Sequence, residues 1–198
     1  MKLVELFATP VTICELGRDF SIEELFCVDD ALKDTYANKG NQTSLNTFVF
    51  ADERMSELHS FCIDTIDKFS KEILWQQNCE LAVTQSWINL SREGDFHHMH
   101  NHPNSILSGV LYIEAHEGDI IQFYRTRETN SFLQQTETFN QYNSTSWFIP
   151  VKTGDLVIFP SHLFHDVPRV NSKKRISLSF NTFPSGSFGD AKMLTFVG

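Results

Sequence analysis

Two periodicities divide the chain. Over residues 52–77 apolar side chains recur at Met55, Leu58, Cys62, Ile66, Phe69 and Ile73, in steps of three and four. That spacing predicts one helix with a single buried stripe. His59 lies beside the stripe and reads as a helix-surface or packing residue rather than a ligand. An earlier helical stretch opens at Ser21-Ile22-Glu23-Glu24, a capping serine followed by two acids that favour a first turn. It fades near Asn38-Lys39-Gly40. From Glu80 the period drops to two. Leu81, Val83, Gln85, Trp87 and Asn89 take one face of a strand, and Ala82, Thr84, Ser86, Ile88 and Leu90 the other. In this register Trp87 is expected in the core.

Further strands are predicted at 106–114, 119–125, 146–151, 156–160 and 175–183, with Gly118-Asp119 and Gly154-Asp155 as turns between them. Short strands so punctuated predict a sandwich, jelly roll or barrel. The expected fold is therefore mainly β with N-terminal helices, an α+β arrangement. Helices at about 1–79 would cover a β core at about 80–184.

Composition narrows the classes. The chain has 198 residues, 41% hydrophobic and 21% charged, which suits a single domain over 1–198 and argues against disorder. Its net charge of −9 offers no general attraction to nucleic acid or anionic membrane. No apolar run approaches a membrane span. Residues 1–16 carry Glu5 within their apolar stretch and only Lys2 ahead of it, a poor signal peptide, so a cytoplasmic location is expected. The four cysteines form no C-x-x-C pair and read as reduced thiols. Residues 126–146 are rich in Ser, Thr, Asn and Gln, which fits either a lid or a surface excursion.

Chemistry concentrates in histidine. Four of the eight histidines fall within six positions: His97, His98, His100 and His102. His98, His100 and His102 share one parity, so on a strand they point to one face. Two imidazoles at i and i+2 can grip one metal ion from a single strand. A further ligand must come from elsewhere, and His165, just past the strand at 156–160, is the natural candidate. Ten residues later, Arg175, Ser177, Ser179 and Asn181 alternate with Ile176, Leu178 and Phe180. Either that polar face meets water, or it lines a barrel interior where Arg175 grips a carboxylate with its planar fork.

H-x-H, a distant His, then R-x-S resembles the Fe(II)/2-oxoglutarate-dependent oxygenases. The phrases HNHPNSILSGVLYI, GDLVIFPSHLFHDV and RISLSFN resemble a bacterial and phage subgroup of that superfamily, and the opening LFATPV fits it too. The resemblance implies a double-stranded β-helix, a cupin-like jelly roll. It implies Fe(II) held by His100 and His165, with His102 in the third position. It implies 2-oxoglutarate as cosubstrate, its distal carboxylate on Arg175 and Ser177, with Tyr112 beside it and Asn89 within reach. The implied activity is a dioxygenase that decarboxylates 2-oxoglutarate and uses O2 to hydroxylate a second substrate, in a host cytoplasm were the chain phage-encoded.

His102 departs from the pattern, since most such enzymes place Asp or Glu there. A third imidazole leaves the centre one unit more positive. His98 paired with His100, or Asp95 as a carboxylate, are the alternatives for completing the triad. Other readings are a three-His cupin-type dioxygenase or zinc enzyme without an oxoacid, and a jelly-roll binding module without turnover. Three histidine ligands also predict metal affinity that falls below roughly pH 6–6.5, the ordinary imidazole range.

Overall fold

Nearly every side chain of 107–114 is buried, on both faces of its strand, and the architecture follows from what covers each face. The computed structural model describes residues 1–76, 79–125 and 137–198. In chain order its elements are β1 (Thr12–Glu15), α1 (Ile22–Ala31), β2 (Thr35–Asn38), β3 (Asn41–Ser44), α2 (Ser56–Lys68), β4 (Glu80–Arg92) and β5 (His97–His100). Then come β6 (Leu107–Glu114), β7 (Ile120–Tyr124), β8 (Ser146–Pro150), β9 (Asp155–Pro160), β10 (His165–Val167) and β11 (Lys174–Ser185). They form a larger sheet ordered β1-β9-β6-β11-β4-β3-β2 and a smaller one ordered β5-β10-β7-β8. Every strand pair is antiparallel.

The larger sheet sorts its residues by parity into two cores. Ile88, Leu111, Ile158, Ile176 and Leu178 pack with Leu58, Cys62 and Ile66 of α2 and Val28 of α1. Val110, Tyr112, Val157 and Phe159 pack with Ile121 and Phe123 of the smaller sheet. Helices thus cover one face, and the second sheet covers the other, a jelly-roll pairing. Among the described residues no helix is long and apolar enough to cross a membrane.

The N-terminal helix starts where expected. Ser21 caps α1 by accepting from the Glu24 backbone, and the Glu24 carboxylate accepts from the Ser21 backbone in return. Arg18 then closes on that carboxylate with two hydrogen bonds. The helix ends at Ala31, well short of the expected 38–40. Residues 35–44 are instead the hairpin β2–β3, and Asn38-Lys39-Gly40 belongs to its turn. Gly40 has φ +118, and a Cβ there would meet the Phe96 carbonyl oxygen at 2.6 Å, so the turn requires glycine.

The second helix keeps its stripe from Met55 through Phe69 in the core. It does not keep Ile73, which is 55% exposed. Phe69–Ile73 is a π-helical turn, and the wider turn rotates Ile73 out of the stripe. Residue 77, the expected end, lies outside the described residues. So do residues 126–136 of the segment read as a lid or excursion. The β1, β5 and β10 segments are strands of only three or four residues, too short for alternation to mark.

Candidate metal centre

A row of paired residues crosses the smaller sheet. His165 of β10 pairs with His100 of β5 on one side and with Phe123 of β7 on the other. His102 lies two residues beyond β5, and its backbone N–H donates to the Ser161 carbonyl at 2.9 Å. That bond turns the chain so that His102 joins the other two. Ring centroids stand 4.4 Å apart for His100–His165, 4.9 Å for His100–His102 and 5.1 Å for His102–His165. One nitrogen of each ring lies within 4.8 Å of the others.

Hydrogen bonds decide which nitrogens are free. His100 Nδ1 lies 2.7 Å from the His98 carbonyl oxygen, and His165 Nδ1 lies 3.0 Å from that of Leu163. A carbonyl only accepts, so each Nδ1 carries the proton and donates. The lone pair of each ring is left on Nε2, the arrangement a metal ligand requires. Burial, followed by mutual repulsion among the rings, pushes His102 down to about 4 and His165 well below the ordinary imidazole range. Burial likewise lowers His100. Burial therefore favours the neutral form of each ring. Protons compete for them at lower pH than the ordinary value implies, so the expected fall in metal affinity at pH 6–6.5 moves downward.

The other expected residues sort as follows. His98 belongs to a second group with His97 and His100; the parity that joined it to His100 and His102 fails within β5, whose pairing with β10 shifts register between His97 and His100. Asp95 is in neither group; its carboxylate accepts the Arg92 N–H at 2.8 Å and closes the β4–β5 turn. Sequence reasoning gave no role to His97. Burial and its histidine neighbours push it down to about 3, and its Nε2 lies 3.3 Å from the Asn38 amide. Its contact is made by the unforeseen hairpin, which is why no local signal marked it.

The three histidines open on a cavity between the sheets, which Arg175, Ser177, Tyr112 and Asn89 also line. Asn89, Ser177 and Tyr112 form a row across β4, β11 and β6. Asn89 is already engaged, accepting from Thr43 at 2.9 Å and donating to Ser179 at 3.0 Å. Trp87 lines the same cavity, its ring 5.9 Å from His102, and so is not the core residue expected of it.

Arg175 is only 4% exposed, and among the described residues no carboxylate lies within ion-pair distance of it. Its Nε and the Tyr112 hydroxyl are both buried without a hydrogen-bond partner among the described residues. Buried charges and donors are costly unless paired. This set fits an anionic ligand, and three clustered imidazoles, two of them with Nε2 lone pairs free, fit a first-row metal.

Residues 85–181 match the family model described as "Putative 2OG-Fe(II) oxygenase". A search of curated proteins finds none that matches. Among solved structures the chain is similar to a prolyl-4-hydroxylase from Pseudomonas putida, with 12% identity, TM-score 0.62, and 90% of this chain and 94% of that one covered. It is similar to an oxidoreductase of the 2OG-Fe(II) oxygenase family from Burkholderia pseudomallei, with 13% identity, TM-score 0.59, and coverage of 87% and 83%. It is also similar to HygX from Streptomyces hygroscopicus, solved with nickel, 2-oxoglutarate and hygromycin B, with 13% identity, TM-score 0.57, and coverage of 89% and 84%. At such identities the likeness is one of fold.

Proposed function

Because the chain belongs, through residues 85–181, to the 2OG-Fe(II) oxygenase family, we propose that His100, His102 and His165 hold Fe(II) and that Arg175 anchors 2-oxoglutarate beside it. Bound iron and 2-oxoglutarate supply the oxidising chemistry, in which decarboxylation to succinate is coupled to O2-dependent hydroxylation of a second substrate. The protein's residues do the rest. Carbonyl acceptors at His98 and Leu163 keep two Nε2 lone pairs aimed at one point. Arg175 offers the distal carboxylate two parallel hydrogen bonds, and Tyr112 and Ser177 stand beside it as hydroxyl donors. Three neutral imidazoles leave Fe(II) at +2, which the cosubstrate dianion balances.

The observation that carries this reading is the buried, unpaired Arg175 in the cavity that the three histidines share. It also weighs against a zinc or cupin-type centre without an oxoacid, and against a binding module. Neither needs a buried guanidinium awaiting an anion. The second substrate is assigned to an outer cleft lined by Phe96, Met99, Asp166 and Arg169, which shares His97 and Val167 with the inner cavity. Residues 80–184 carry the site, and residues 1–79 back it as part of the same unit.

The test is anaerobic titration of the Fe(II)-loaded chain with 2-oxoglutarate. A weak visible charge-transfer band is expected, followed by succinate formation in air. Tight Fe(II) binding with neither band nor succinate would favour a centre without an oxoacid.

A further inference from the structure

We infer that Asn181 is a positioning residue that sets the tautomer of His102 and thereby makes this ring able to serve as third metal ligand. The inference rests on the three-histidine reading above. His100 and His165 are each locked by a carbonyl, which can only accept. Among the described residues His102 has no such carbonyl. Its Nδ1 faces the side-chain amide of Asn181, with Nδ2 at 3.4 Å.

An amide can present either end. With Nδ2 toward the ring, Nδ1 must accept, the ring proton sits on Nε2, and no lone pair is left there for a metal. Rotated by half a turn, Oδ1 accepts the proton of Nδ1, and Nε2 becomes a ligand. The two amide orientations are nearly indistinguishable in outline, and the hydrogen-bond network selects between them.

That network is built to accept either orientation. The far end of the Asn181 amide lies 2.8 Å from Ser108 Oγ. Ser108 Oγ lies 2.8 Å from Ser161 Oγ, which lies 2.7 Å from Ser105 Oγ. Ser105 Oγ donates to the Thr182 carbonyl at 3.0 Å. In the rotated state Asn181 Nδ2 donates to Ser108, Ser108 to Ser161, Ser161 to Ser105, and Ser105 to the carbonyl. No buried hydroxyl is left without a partner. Hydroxyls suit this task because each both donates and accepts, so the chain can reverse when the amide turns.

The placement is specific to this third position. Asn181 sits on β11 opposite Ser108 of β6, and the pairing with β4 shifts register immediately after it. Ser161 also holds the His102 backbone, so one residue fixes both the main chain and the far end of the side-chain network. A third imidazole needs an acceptor at Nδ1 that a carboxylate ligand would not need.

The test uses the full chain and Fe(II) alone, with affinity measured anaerobically by competition against a chromophoric chelator. Long-range 1H–15N spectra of the metal-free chain report which nitrogen of His102 holds the proton. Asn181→Leu should weaken Fe(II) binding about 10- to 100-fold, the usual effect of losing a residue that orients a ligand. It should add nothing in a His102→Ala background. Asn181→Asp, which only accepts, should put the proton on Nδ1 and bind Fe(II) within about threefold of the parent or tighter.

Should Asn181→Leu not fold, Asn181→Asp decides alone. Loss of Fe(II) affinity in that variant, or a proton on Nε2, overturns the inference. If His102→Ala weakens Fe(II) binding while Asn181→Leu does not, the inference is overturned and the three-histidine reading stands. If His102→Ala itself leaves Fe(II) affinity unchanged, both are overturned.

Discussion

The guanidinium carbon of Arg175 stands 4.9 Å from the centroid of the Tyr112 ring, with both side chains buried between the two sheets. The aromatic face gives a buried cation partial compensation. It leaves Arg175 Nε and the Tyr112 hydroxyl without hydrogen-bond partners among the described residues. The pair is built for an anion that satisfies both.

Arg175→Ala should weaken 2-oxoglutarate binding by tens-fold to a thousandfold. Truncating one partner of a buried charge pair costs about 2–5 kcal/mol, at about 1.4 kcal/mol per decade. Fe(II) affinity should be nearly unchanged. Arg175→Lys should recover part of the loss, since an ammonium keeps the charge and not the fork. Lys174, whose Nζ pairs with Glu114 at 2.8 Å on the surface, is the control, and Lys174→Ala should bind cosubstrate as the parent does. Calorimetric titration of the four proteins checks the order.

Tyr112→Phe should separate stability from binding. In the free protein the hydroxyl is buried and unpaired, a cost of about 1–3 kcal/mol. Its removal should leave the chain as stable as the parent or more so. Cosubstrate affinity should fall about 2- to 12-fold, the worth of one hydrogen bond of about 0.5–1.5 kcal/mol. Urea unfolding and calorimetry on one preparation read both effects; a loss of stability with unchanged affinity would reverse the assignment.

Acid should destabilise the metal-free chain earlier than it protonates the folded site. The unfolded chain takes up protons on its histidines at about pH 6.5. In the folded chain His102 is pushed down to about 4 and His97 to about 3, because burial, and then the histidines beside them, disfavour the charged ring. Between those limits the unfolded state holds more protons, so stability falls as pH falls from about 6.5 toward 4. Unfolding midpoints measured across that window should drop steadily, and less so in His97→Gln.

Gly109→Ala should destabilise without touching any polar group of the site. A Cβ there would meet the Phe180 ring at its Cζ, 2.2 Å away. Phe180 is itself buried against Phe50, with ring centroids 5.6 Å apart, so the ring has little room to yield. Overpacking of this kind costs about 1–3 kcal/mol. Thermal unfolding should shift by about 2–4 °C per kcal/mol in a chain of this size.

Several features were legible in the order of residues because their causes are local. Strand side chains alternate, so the polar and apolar sets of 175–181 necessarily fall on opposite faces. In the folded chain Arg175, Ser177 and Ser179 line the cavity while Ile176 and Leu178 enter the helix-covered core. The stripe from Met55 to Phe69 followed in the same way from helical periodicity, and the capping serine at 21 from its oxygen's reach to a free first-turn N–H. Histidine spacing and the R-x-S phrase marked the residues that meet in the cavity.

Tertiary structure alone decided the rest, because its causes act between distant segments. Parity could not carry through β5, whose pairing with β10 shifts register between His97 and His100, and beyond it the Ser161 carbonyl holds the His102 backbone. His97 gained its partner from Asn38, on a hairpin that local signals had assigned to a helix end. Lys39-Gly40 reads equally as a helix stop or a hairpin turn, and only pairing of β3 with β4 selects the second. Whether Arg175 is buried without a carboxylate partner, or Asn181 faces His102, depends on which strands become neighbours. That choice is made by the packing of two cores on either side of one sheet, not by any residue's own neighbours in sequence.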